Sequence, residues 1–293
     1  MPVAFQCYRP EPRFGEDYGK IRSFLIRLND HNFHFGRWDW MITHSCLDES
    51  GLERIGLWEE GGRVVAMAAY DCRLGGAFLP VLPDYAYLKE EMFAYAVRAL
   101  AKDGACGVLI ADGDMALQSA ARRHGYVATQ DKDYDAVFPL DLELAPPSLP
   151  EGFRLTSMAE TYDLFKYGQA LWKGFNHEAD GEGPFVMNDG FTREFERPNV
   201  NLNIKIAVVA PSGDFVSYCG MWQDAACTSA LVEPVATDPA YRRLGLGRAA
   251  VLEGLRRCQQ LGATRAYVGS SQQFYYSIGF FPFATATWWR KPE

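Results

Sequence analysis

Two rhythms of apolar residues meet in the second half of the chain, and the point where they meet is the most informative in the sequence. Ser229 to Ala236 is a mostly apolar, β-prone run that reads as a strand. From Ala249 to Leu261 the apolar positions Val251, Leu252, Leu255 and Cys258 fall at helical spacing. Between them lies Pro239-Ala240-Tyr241-Arg242-Arg243-Leu244-Gly245-Leu246-Gly247-Arg248. A strand therefore feeds a helix through a turn that lacks side chains at Gly245 and Gly247. There the main chain can come close to a ligand, and the first amides of the helix, with the positive end of its dipole, favour an anion. Arg242, Arg243 and Arg248 add positive charge at that end.

The same pattern organises the rest of the chain. Leu144-Ala145-Pro146-Pro147-Ser148-Leu149-Pro150 can continue neither a helix nor a central strand. It is the expected boundary between domains 1–145 and 146–293, a division that suits a chain of 293 residues. After it, Gly152 to Thr156 restarts a strand and Met158 to Phe175 reads as a helix. Asn201 to Val209, the turn Pro211-Ser212-Gly213-Asp214 and Phe215 to Trp222 make a hairpin. Arg265 to Gly269 is the next strand. In the first half, Arg54 to Trp58, a turn at Gly61-Gly62 and Val64 to Cys72 form a similar hairpin, followed by a strand from Ala77 to Leu82.

The spacing of the glycine turn narrows its chemistry. A dinucleotide-binding turn needs GxGxxG, and a P-loop needs GxxxxGK followed by Ser or Thr; neither occurs here. What stands at Arg242 to Gly247 is RxxGxG, and with its flanks it resembles the acetyl-CoA pyrophosphate loop of the GCN5-related N-acetyltransferases (GNAT). Phe274-Tyr275-Tyr276-Ser277-Ile278-Gly279-Phe280-Phe281 is similar to the YxxxGF ending of the helix after that family's next strand. The resemblance covers the second half well and the first half loosely. It implies an α/β fold of two tandem GNAT-like domains, each a mixed, mostly antiparallel twisted sheet flanked by helices, with acetyl-CoA as cosubstrate.

The resemblance also distributes roles. Main-chain groups of Val235, Ala236 and Thr237, at the splayed strand end, pair with the pantetheine arm, and the Val235 amide faces the thioester carbonyl, where it can stabilise an oxyanion. Amides from Arg243, Leu244, Gly245, Leu246, Gly247 and Arg248 hold the pyrophosphate beside Arg242. Ser270 or Ser271 stands near the place where many relatives carry an asparagine. Tyr275 is the general acid for the departing thiolate. Setting Pro83 against Pro239 puts Tyr85 on Tyr241, Ala86 on Arg242, Lys89 on Gly245 and Glu91 on Gly247, while Ala121 falls on Tyr275. The first domain is thus expected to keep the fold and to have lost the cofactor.

The reaction needs a base as well. An alkylammonium with a pKa near that of lysine, about 10.4, must lose a proton before it attacks a thioester at neutral pH. Glu233 lies two residues before Val235, which in a regular strand puts both on one face. Leu231 occupies the position where some relatives place a catalytic glutamate, and Glu178, Asp180 and Asp224 stay open as alternatives.

Composition removes several classes. A formal net charge of −8 argues against general nucleic-acid binding. No apolar run approaches the eighteen or so residues of a membrane span, and the opening residues carry charges early, so a soluble, cytoplasmic protein is expected. The seven cysteines show no CxxC spacing, and His31 with His34 has no carboxylate or thiol cluster to complete a shell, so neither a disulfide framework nor a metal site is expected. Trp38, Trp40, Trp288 and Trp289 read as core or domain-interface aromatics, with the lining of the acceptor pocket as the alternative for some of them. The acidic, glycine-rich run from Phe175 to Pro184 is either a solvated loop or an acid-lined entrance for a cationic acceptor. The expected partner is a small-molecule amine, and a homodimer is left open. Transfer of a longer acyl group, acylation of a protein amine, and acyl-CoA sensing without turnover are the competing readings.

Overall fold

In chain order the elements are β1 (Ala4–Cys7), α1 (Glu16–Leu28), α2 (Phe35–Met41), β2 (Gly56–Glu60), β3 (Arg63–Asp71), β4 (Arg73–Phe78), α3 (Lys89–Ala99), β5 (Gly107–Ala111), α4 (Met115–Arg123), β6 (Val127–Pro139), β7 (Arg154–Ser157), α5 (Leu164–Gly174), α6 (Arg193–Glu196), β8 (Lys205–Val209), β9 (Phe215–Trp222), β10 (Ser229–Thr237), α7 (Leu246–Gln260), β11 (Arg265–Val268), α8 (Gln273–Ile278) and β12 (Phe281–Arg290). They come from a computed structural model that describes residues 2–292, apart from the side chain of Asp189. Packing separates two units. One runs up to Asp135 and adds residues 269–271 and the segment from Pro282 on; the other comprises residues 136–268 and 272–281.

In the first unit β1 to β4 follow one another antiparallel, β4 lies parallel to β5, and β12 pairs antiparallel with β5. The last strand of the chain therefore completes a sheet built mainly from its first 135 residues. Asp112 anchors it, accepting hydrogen bonds from the Thr285 and Thr287 hydroxyls at 2.5 and 2.6 Å. His31 is paired with Asp135 at 2.8 Å, and His34 accepts from the Gly36 amide at the start of α2. Trp38 and Trp289 are buried.

The second unit is the sheet β6-β11-β10-β9-β8-β7, to which β6 contributes from Ala136 on. Only β10 and β11 are parallel. On one face α7 buries Leu246, Ala250, Val251, Leu255 and Cys258 against Cys219, Met221 and Val232. On the other, Tyr167 and Leu171 of α5 pack on Tyr218 and Ala236. Gly254 lets α7 approach closely, since a Cβ there would lie 2.7 Å from Met221. Several expected bounds shift: the strand expected from Asn201 begins at Lys205 after a 3₁₀ turn over Leu202–Ile204, and the one expected over 54–58 runs over 56–60. The helix starts at Leu164 rather than Met158, because the Asp163 side chain caps it by accepting from the Lys166 amide at 2.9 Å. The strand expected over 77–82 runs over 73–78, and Pro83 opens a short 3₁₀ turn instead.

A buried polar chain crosses the α5 face. Lys205 is fully buried, and its ammonium lies 2.6 Å from Glu194 and 3.5 Å from the centre of the Trp222 ring. Tyr167 donates to the other Glu194 oxygen at 2.9 Å. Burial pushes the Glu194 carboxyl up, but Lys205, Arg197 and the Tyr167 hydroxyl outweigh it and hold it below its ordinary value. A carboxyl depressed in the folded state stabilises above the unfolded pKa, and that contribution disappears as pH falls through the folded value. Lys205→Met, which strands the carboxylate, should therefore cost about 3–5 kcal/mol in denaturant unfolding at neutral pH. The deficit should shrink as pH falls and the stranded Glu194 carboxyl takes a proton, since burial without Lys205 favours its neutral form; a neutral-pH loss under about 1 kcal/mol would contradict the arrangement.

Candidate active site

The site begins where β10 stops being an ordinary strand. Its parallel ladder with β11 runs from Ser229↔Arg265 to Leu231↔Tyr267 and ends there. On the other side β10 stays paired with β9, Val232↔Met221 before a register shift and Val235↔Cys219, Ala236↔Tyr218 and Thr237↔Ser217 after it. Beyond Leu231 the outer edge of β10 has no strand neighbour among the described residues, and Val235 to Thr237 lie on it. Such an edge offers main-chain groups to an extended ligand.

The register shift is a bulge. Glu233 and Pro234, joined by a cis peptide bond, oppose Gly220 alone, and Pro234 has no N–H for the ladder. A Cβ on residue 220 would fall 2.5 Å from the Glu233 carbonyl oxygen, so only glycine fits there. The Trp222 indole N–H donates to that same carbonyl at 2.6 Å. One inference from strand alternation changes as a result. Val232 and Val235, an odd number of residues apart, both pack in the core beneath α7, so alternation from Glu233 to Val235 is broken. The Glu233 charge nonetheless acts on Tyr275.

Tyr275 lies in α8, 9% exposed, in edge contact with Phe274 and Phe280. Its hydroxyl makes no hydrogen bond among the described residues. Burial, then Cys219 and Glu233, push its pKa well above the ordinary tyrosine value, so it holds its proton at neutral pH. Tyr276, beside it, is only half-buried.

Beyond Thr237 the chain makes one 3₁₀ turn, capped by Asp238, which accepts from the Ala240 amide at 2.9 Å. Arg243 then takes φ +66° and Gly245 φ +79°. Gly245 is the N-cap of α7 and brings no side-chain acceptor, and the first turn of α7 has no acidic residue. The opening amides of the helix therefore face outward with its positive dipole end, beside the exposed side chains of Arg243, Leu244 and Arg248. A Cβ on Gly247 would meet the Thr237 hydroxyl at 3.0 Å and the Phe274 ring at 3.4 Å, so this turn closely approaches the strand end and α8. A cleft of about 370 Å³ opens between the Pro147–Pro150 segment and the Leu244–Ala249 turn.

The other expected residues have different settings. The Arg242 guanidinium is turned back onto protein, donating to the Thr237 and Gly174 carbonyls at 3.1 and 2.9 Å and to Asn176 at 2.9 Å, so it ties the end of α5 to the end of β10. Ser270 and Ser271 fall in the 269–271 segment that packs with the first unit. Asp224 caps the β9–β10 turn by accepting from the Ala226 amide, at the end of β10 away from Thr237. Glu178 and Asp180 are exposed in the loop after α5. Sequence reasoning missed Gly220, Trp222 and Gly174, whose added Cβ would lie 2.6 Å from that of Ala236. A proline inside an apolar strand run was the available mark of the bulge.

A parallel strand pair that parts at Leu231 and leads into an amide-lined turn can hold an extended, anion-bearing ligand on strand and helix backbone. Residues 170–281 match the family model described as the acetyltransferase (GNAT) family, so this part of the chain is a GNAT-type domain. Two solved structures are similar over the whole length. A GCN5-related N-acetyltransferase from Sphaerobacter thermophilus has a TM-score of 0.57 at 16% identity, covering 99% of this chain and 96% of that one. A tandem GNAT protein from the clavulanic acid biosynthesis pathway has a TM-score of 0.55 at 12% identity, covering 100% and 99%. No curated protein matches the chain by sequence. The fold is α/β, two tandem GNAT-like domains with mixed sheets flanked by helices.

Because Gly245 sits in left-handed backbone, Gly245→Ala should lower unfolding stability by about 1 kcal/mol even with open space around the new Cβ. An unchanged denaturation midpoint would mean that the turn adopts another conformation.

Proposed function

We propose that the second unit transfers an acetyl group from acetyl-CoA to the primary amine of a small molecule. The observation that carries this is the edge of β10 beyond Leu231, which has no strand neighbour among the described residues and leads through the Arg242-held Thr237 carbonyl to the open amides of Gly245 to Arg248. A pantetheine arm is an extended chain with amide groups, and it can join that edge as a strand would. A pyrophosphate is the anion that the start of α7 favours. The Val235 amide then meets the thioester carbonyl, and the uncharged Tyr275 hydroxyl can deliver a proton to the sulfur as the C–S bond breaks. Glu233 is the proposed base for the ammonium. In this account the bond formed is N–C, the bond broken is C–S, the amine proton leaves to the base and the thiolate is protonated by Tyr275.

The first unit keeps the fold without the cofactor in this reading. Its corresponding helix, α3, carries Glu90 and Glu91 in the first turn. Glu91 accepts from the Trp58 indole at 2.9 Å, and Lys89 pairs with Asp114 at 2.6 Å. Carboxylates at a helix N-terminus satisfy the dipole that a phosphate would otherwise use.

Thiol release from acetyl-CoA, followed across a panel of primary amines, tests the reading; tight cofactor binding with no release for any amine would favour a sensor instead. Tyr275→Phe should lower kcat by about 10²- to 10⁴-fold with acetyl-CoA affinity retained. Since its pKa is raised, Tyr275 should set no basic limb in the rate profile below about pH 10. Glu233→Gln should change the pH dependence of kcat/KM while cofactor binding stays intact, and an unchanged profile would remove Glu233 as the base.

A further inference from the structure

We propose that Trp222 is a positioning residue for acyl transfer, acting through the bulge of β10; this inference rests on the functional reading above. Trp222, Gly220 and Tyr218 alternate onto the α5 face of β9, and Lys205 on β8 is paired in register with Gly220. The space that Gly220 leaves is where the Glu233 carbonyl turns out of the ladder. Trp222 is 2% exposed and closes over it, its indole N–H donating to that oxygen at 2.6 Å.

The ring itself is held by charge. The Lys205 ammonium lies 3.5 Å and the Arg197 guanidinium carbon 4.3 Å from its centre. Both cations are fixed in turn by Glu194, through the 2.6 Å ion pair with Lys205 and the 3.1 Å bond from Arg197 Nε to the Glu194 carbonyl. Cations over an indole face are favourable, and they draw electron density from the ring, which makes its N–H a better donor. The chain Tyr167–Glu194–Lys205–Trp222 thus ends on a peptide carbonyl of the two-residue bulge where the strand shifts register.

The residues immediately after that carbonyl form the reacting edge. Pro234 has no donor, and pairing resumes at Val235↔Cys219. The direction of the Glu233 carbonyl therefore constrains both Glu233, the proposed base, and the main chain of Val235, where pairing resumes. Backbone placement counts strongly here, because a displacement of about 1 Å at a reacting centre can cost roughly a hundredfold in rate. Trp222 touches neither ligand nor reacting atoms in this account.

Trp222→Phe keeps a ring for both cations and deletes the N–H. For any amine that the wild type acetylates, kcat should fall roughly ten- to hundredfold, with KM for acetyl-CoA within about twofold and the acidic limb of the pH profile displaced. A kcat within about twofold of wild type, or a loss confined to KM, would overturn the proposal. Should the variant fail to fold, the ¹⁵N-labelled wild type decides. A Trp222 indole N–H that survives hours in D₂O supports the bond to Glu233, and exchange within minutes overturns it. A wild type that acetylates no amine would refute the functional reading instead, and the indole measurement would then decide alone whether Trp222 holds the bulge.

Discussion

Two residues of β10 stand opposite one of β9, and the site depends on that mismatch. A strand paired regularly on both edges has no free main-chain groups to give. Here the ladder to β11 ends at Leu231, and the bulge at Glu233–Pro234 resets the register of what remains. Gly220 makes the mismatch sterically feasible, and the Trp222 indole gives the displaced carbonyl a donor, so that it is not left as a buried polar group without a partner. The Lys205–Glu194 pair then has a role beyond stability. A buried ion pair often adds little net stability compared with apolar packing of the same shape; this one fixes the position of a ring that fixes the position of a backbone atom.

Electrostatics separates the two halves of the chain at equivalent helices. The α7 terminus has a glycine cap, no acidic residue in its first turn, and exposed arginines around it. The α3 terminus has two glutamates in that turn and a lysine paired to Asp114. One helix end is therefore open to an external anion and the other already carries internal ones. Arg242 complicates the simple picture of a basic turn. Its three hydrogen bonds hold α5 to the strand end, so its positive charge supports the shape of the turn while Arg243 and Arg248 remain exposed.

Much of this was legible in the sequence because it depends on local backbone chemistry. Gly245 and Gly247 announce a turn with left-handed backbone and close packing, and both are used so: one at φ +79°, the other against Thr237 and Phe274. The apolar rhythm from Val251 to Cys258 placed the buried face of α7. What escaped depends on pairing across the sheet. That Gly220 faces Glu233, and that Lys205, Trp222 and Glu194 meet over it, is a consequence of register, which no local pattern states. The segment membership of the C-terminal strand escaped for the same reason, since its contacts with Asp112 join residues more than 170 positions apart. The helix expected from Met158 began late because a capping aspartate, Asp163, overrode the apolar periodicity before it.

The central claim is that one backbone-built cofactor site exists, in the second unit, where β10 leaves β11. Calorimetric titration of the full chain with acetyl-CoA tests it most directly. A single site per chain, abolished by the new carboxylate of Gly247→Glu and untouched by Glu91→Gln, is the predicted result; two sites per chain, or one that survives Gly247→Glu, would contradict it.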